Sequence, residues 1–79
     1  MKRKEIRPEH QELMKQLGKK IKDLRTKKNI SYIKMAEEIG ISKNVYNSIE
    51  LGNVYFNFSS LLLIANYHSI HISKLLSGL

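Results

Sequence analysis

Apolar residues recur along the first third of the chain at Leu13, Leu17, Ile21 and Leu24, at spacings of four, four and three. That rhythm predicts a helix over residues 9–28 with one buried stripe. Lys15, Lys19, Lys22 and Lys27 fall off the stripe, and Asp23 stands four residues before Lys27 as a helix pair. Gly18 interrupts the helix former pattern and marks either a close packing point or the boundary between an extension and the domain proper. Asn29 follows two lysines as a left-handed terminator. A second apolar set, Met35, Ala36 and Ile39, begins after the N-cap residue Ser31 and stops at Gly40. A third, Ile41, Val45, Tyr46 and Ile49, surrounds a helix of about residues 43–51 opened by the N-cap residue Ser42. Asn57 then caps a helix apolar on most of its surface through Phe58, Leu61, Leu62, Ile64 and Ala65. Ser69 reads as a loop position, and a short last helix starts near His71 and runs through residues 72–76. No alternating β-branched run is sustained, so the predicted class is all-α, five helices in one domain.

Residues 31–52 organise this arrangement. Two short helices face each other across one glycine, with the small Ala36 on the inner face where two helices cross closely. This is the pattern of a helix-turn-helix, a unit that places its second helix in the DNA major groove.

Composition narrows the possibilities further. A chain of 79 residues holds one small domain. With no cysteine there is neither a disulfide framework nor a thiolate zinc site, which fits a reducing cytoplasm. The longest apolar run is the five residues 61–65, against roughly 20 needed to span a bilayer, so a soluble, cytoplasmic protein is expected. The charge of +7 is uneven: residues 1–28 carry eleven Lys/Arg and four acids, and residues 29–79 carry three of each. A basic end on a small domain points either to a polyanionic partner such as nucleic acid or to a merely solubilising face. Residues 1–10, with Pro8, are expected to be a flexible basic arm and residues 11–79 the folded domain.

At this point the residues resemble the lambda-repressor-like, Cro/XRE-type helix-turn-helix family. The matching pieces are residues 17–25 (LGKKIKDLR), then Ser31, Met35, Ala36, Ile39, Gly40, Ile41 and Ser42, then residues 49–52 (IELG) and 61–65 (LLLIA). The resemblance covers residues 17–76 and implies a five-helix bundle that binds operator DNA as a homodimer and regulates transcription. It implies base contacts from Lys43 and Asn44, with Ser48 one turn further on and Asn47 as another candidate. Lysine suits guanine and asparagine pairs bidentately with adenine. Tyr32, Ser42, Asn53, Lys19 and Lys20 are candidates for phosphate contacts, Glu50 for a local structural anchor and Tyr46 for buried packing.

Three features depart from the family pattern. Tyr32 stands where glutamine is common, and Lys43 is the only cation of the third helix, so non-specific affinity must come from the arm and the first helix. Val54, Tyr55 and Phe56 form an apolar loop where relatives often carry Lys or Arg; with Leu63, Leu75, Leu76 and Leu79 they make a candidate dimer interface, or else fold back on the core.

Other chemistry is poorly served. His68 and His71 lack nearby carboxylates or cysteines and read as a packing and a capping residue. There is no glycine-rich phosphate loop, activated nucleophile or pocketed carboxylate pair, so no enzymatic activity and no cofactor is expected. An apolar stripe over residues 13–28 is too narrow, and has no aromatic anchor, for a membrane-surface helix. Two alternatives stay open: an antitoxin that also holds a toxin, and a protein-interaction module of the same fold that has lost DNA binding.

Overall fold

The computed structural model describes residues 7–53 and 57–79. All regular structure among them is helical: α1 (Pro8–Thr26), α2 (Tyr32–Ile39), α3 (Lys43–Glu50), α4 (Phe58–Tyr67) and α5 (Ile72–Leu76). The expected all-α, five-helix architecture is therefore the observed one. None of these helices is long and apolar enough to cross a membrane.

Pro8 opens α1 at the first helical position, where its missing N–H costs nothing. Residues 8–10, expected in the arm, thus form the first turn of the helix. The buried stripe is also shifted. Leu13 is 37% exposed, whereas Met14, Leu17, Ile21 and Leu24 meet the core. Two successive steps of four each drift about 40° around a helix of 3.6 residues per turn, which carries Leu13 off the contact line. The set 14, 17, 21 and 24 alternates three and four and stays on it. Asn29 ends the segment in the left-handed region, φ 56°, as expected.

The core is built from Leu17, Ile21, Met35, Ala36, Tyr46, Ile49, Leu61, Ile64, Ala65 and Leu75. Tyr46 is fully buried, as the family pattern implied. Leu75 is also fully buried, which removes it from the candidate dimer surface: α5 has one side to offer the domain, and Leu75 is the residue that fills it. Leu76 and Leu79 stay exposed. On α4 the buried side is Ser60, Leu61, Ile64 and Ala65, while Phe58, Leu62 and Leu63 remain open to solvent.

One ion pair ties this bundle together. Arg25 of α1 grips Glu50, the last residue of α3, through Nε to Oε2 at 2.6 Å and Nη2 to Oε1 at 2.9 Å. Its remaining nitrogen, Nη1, donates to the Ile30 carbonyl at 2.8 Å. The two side chains are only 12% and 4% exposed. The fork geometry satisfies both charges inside a dry environment, where a lone carboxylate or guanidinium would be very costly. The carboxylate holds the Arg25 guanidinium further above its already high pKa. Burial, reinforced by Glu50, keeps the Tyr46 phenol protonated far above its ordinary range.

His68 closes α4 with its ring edge-on to Tyr67, the centroids 5.2 Å apart. Both ring nitrogens are buried and, among the described residues, unpartnered. His71 instead caps α5, its Nδ1 accepting from the Ser73 N–H at 3.1 Å. Both histidines thus hold the structural positions expected of them.

Two outcomes follow. Glu50→Ala strands the Arg25 charge and should lower the unfolding free energy by about 3–5 kcal/mol, read by urea denaturation; an effect below about 1 kcal/mol is the surface ion-pair range and would count against the clasp. His68 has its pKa lowered, first by burial and then by the charge of Lys28. Its contribution to stability is therefore fully present above the unfolded value of about 6.5 and is lost as the pH falls below it. The midpoint of thermal unfolding should drop from pH 7 toward pH 5, and part of that drop should vanish in His68→Phe.

Candidate nucleic-acid interface

The helix-turn-helix is assembled by local backbone chemistry before any packing is considered. Ser31 Oγ accepts from the Lys34 N–H at 3.2 Å and Ser42 Oγ from the Val45 N–H at 3.1 Å, so each hydroxyl satisfies an orphan donor of its own helix. Gly40 stands at φ 92°, and the N–H groups of Gly40 and Ile41 both donate to the Ala36 carbonyl. Gly52, at φ 85°, ends α3 in the same way, with the Asn53 N–H donating to the Ser48 carbonyl at 2.9 Å. Both helices thus have defined first and last residues.

Packing then sets the orientation of α3. Tyr46 and Ile49 are sunk into the core and Glu50 is held by Arg25. Gly18 of α1 lies directly under the end of α3: a Cβ there would sit 2.5 Å from the carbonyl oxygens of both Ile49 and Glu50. The close-packing reading of Gly18 is the one that holds, since any side chain would force α1 and α3 apart. With one side of α3 buried, a period of 3.6 turns Asn44, Ser48 and Leu51 outward. Lys43 and Asn44 are exposed, Asn47 and Ser48 half-buried, so the four candidate base-reading residues share the accessible part of one short helix.

The candidate phosphate contacts divide. Ser42 is exposed at the start of α3, where its cap bond leaves the hydroxyl proton available to an acceptor. Asn53 is exposed directly after α3, and Lys19 is exposed on α1. Tyr32 is half-buried and packs its ring against the core, because the first position of α2 falls on the same side as Met35, Ala36 and Ile39. Lys20 is a correction. Its ammonium donates to the carbonyls of Lys74 at 2.8 Å and Ser77 at 3.0 Å, closing the carboxyl end of α5 rather than facing a phosphate. Of the dimer candidates, Leu63, Leu76 and Leu79 are exposed, and Val54, Tyr55 and Phe56 lie outside the described residues.

Two features escaped the pattern of the sequence. Lys15 lies against the turn that ends α3: a Cβ on Gly52 would meet the Lys15 Cγ at 2.8 Å and its Cα at 2.9 Å. This places a cation of α1 beside Gly52 and Asn53, a juxtaposition of residues 37 positions apart that no local signal carries. Val45, one of the apolar set around α3, is 40% exposed. It stands four residues before Ile49, so spacing alone assigns it to the buried face, and only the burial of Tyr46 and Glu50 rotates it out.

Comparison with known proteins agrees with this geometry. A helix-turn-helix family model matches residues 21–75. The HTH-type transcriptional activator BcrR of Enterococcus faecalis is 35% identical over 63 residues, covering 80% of this chain. The chain spans about a third (31%) of that relative's length. The crystal structure of the restriction-modification controller protein C.AhdI from Aeromonas hydrophila superposes with a TM-score of 0.73 over 87% of this chain and 99% of its own, at 22% identity, a likeness of fold. The capped pair α2 and α3 within a five-helix fold and the family match over most of the chain place this protein in the lambda-repressor-like, Cro/XRE-type helix-turn-helix family.

Proposed function

We propose that this chain is a sequence-specific double-stranded DNA-binding regulator of transcription, non-enzymatic and cytoplasmic, acting as a repressor. The observation that carries the reading is the presentation of α3. Its inner side is immobilised by Tyr46, Ile49 and the Arg25–Glu50 pair, while Lys43 and Asn44 stand exposed on its first turn. In such a unit the N-terminal residues of the second helix reach base edges in the major groove. Lys43 donates to guanine, Asn44 pairs with adenine, and Ser48 and Asn47 add polar contacts further along. Ser42, Asn53, Lys19 and, from its place beside Gly52, Lys15 supply the phosphate side, with Tyr32 reduced to its hydroxyl at most.

The chain works as a two-fold dimer, reading half-sites about 34 Å apart on one face of the duplex. Leu63, Leu76 and Leu79 contribute to that dimer contact as exposed apolar residues of α4 and the C-terminal segment.

Fluorescence anisotropy against a duplex library at about 50 and 200 mM salt tests the proposal; binding should fall steeply with salt. Absence of binding at the lower salt overturns it in favour of a protein-interaction module. Asn44→Ala should weaken binding to a selected duplex over random DNA by about 1–3 kcal/mol, concentrated at one base position per half-site. Equal losses on both DNAs would remove Asn44 from the reading set. A promoter reporter distinguishes repression from the activation named for the Enterococcus faecalis relative.

A further inference from the structure

Most of the exposed apolar residues lie away from α3, but Val45 does not. It occupies the first turn of that helix, between Asn44 and the buried Tyr46, and its backbone N–H is held by the Ser42 hydroxyl at 3.1 Å. At 40% exposed it is neither packed into the core nor drawn back from the surface. Its neighbours on the helix surface are the polar Ser42 and Ser48, three residues before and after it, and the core-facing Ile41 and Ile49, four before and after. A branched aliphatic in this place is stiff at χ1, so its methyl groups hold a fixed position relative to Asn44.

An aliphatic side chain has no donor or acceptor, which restricts what it can distinguish in a groove. Of the features that base pairs display in the major groove, only the C5-methyl of thymine is apolar. The chain is also poor in charge on this helix, with Lys43 its single cation, so discrimination must draw on something other than ion pairing. We infer that Val45 is a specificity-determining residue that reads a thymine methyl group beside the base contacted by Asn44. The inference rests on α3 being the DNA-reading helix and deepens that reading. It adds an apolar element to a set otherwise made of an ammonium, two amides and a hydroxyl. The chemistry extends to 5-methylcytosine, which carries a methyl at the same ring position, so the site is expected to sense cytosine methylation where that base replaces the thymine.

The test uses a labelled duplex enriched from a randomised library by the unaltered chain. Each thymine is replaced in turn by deoxyuridine, which deletes the methyl and leaves every hydrogen-bonding group in place. At one position per half-site the unaltered chain should lose about fourfold in affinity, the worth of one buried methyl-sized group. Val45→Ala, which keeps a good helix former at an exposed site, should bind thymine and deoxyuridine alike at that position. At the same position a 5-methylcytosine·guanine pair should bind the unaltered chain more tightly than a cytosine·guanine pair, and Val45→Ala should not separate them. The inference is overturned if no thymine is sensitive to loss of its methyl, or if Val45→Ala keeps the full sensitivity. Both results are distinct from failure of DNA binding itself, in which the unaltered chain enriches no duplex at all. The deoxyuridine scan of the unaltered chain needs no substitution, so a folding defect in the variant does not shelter the idea.

Discussion

The Arg25–Glu50 pair is the contact on which the rest of the structure depends. Arg25 stands near the end of α1, Glu50 at the end of α3, and the third nitrogen of the fork holds the carbonyl of Ile30 just before α2. One guanidinium therefore ties the end of α1 both to the segment five residues on and to the end of α3, 25 residues away. The pair is nearly closed to water, so breaking it leaves an uncompensated charge in a dry place rather than a solvated one. Tyr46 contributes to that dryness; its hydroxyl is buried beside the pair. Gly18 makes the arrangement possible by letting α1 approach the last carbonyls of α3.

From this clasp follows a division of labour across the surface. The inner side of α3 is spent on the core and on Arg25, so only a few of its side chains are left outward. Positive charge is supplied elsewhere, by α1 and its lysines. Even there the cations differ in what they face. Lys20 closes the end of α5, Lys28 lies 5.4 Å from the centre of the Tyr67 ring, and Lys15 sits by the turn after α3. A net charge of +7 thus does not translate into seven equivalent phosphate contacts.

A small bundle has few places to hide apolar residues, and this one leaves Leu51 71% exposed at the end of α3, with Phe58, Leu62 and Leu63 open on α4. Leu75 shows the opposite case. The same run of leucines near the C-terminus contains one residue that seals the core and one, Leu76, that faces outward, because neighbours in a helix point about 100° apart.

Local chemistry was legible in the amino-acid sequence alone. Ser31 and Ser42 as caps, Gly40 as a left-handed stop and Asn29 as terminator each act within a few residues, and all are seen where expected. The family resemblance, carried by residues 17–76, likewise anticipated a buried Tyr46 and an anchoring Glu50. What only the tertiary structure decided was which way each periodic face turned and which cation was already engaged. Leu13 against Met14, Val45 outside the core, Leu75 inside it and Lys20 on the carbonyls of α5 all depend on helices that are remote in sequence. Spacing defines a face but not what stands opposite it, and a lysine carries the same charge whether a phosphate or a helix end is within its reach.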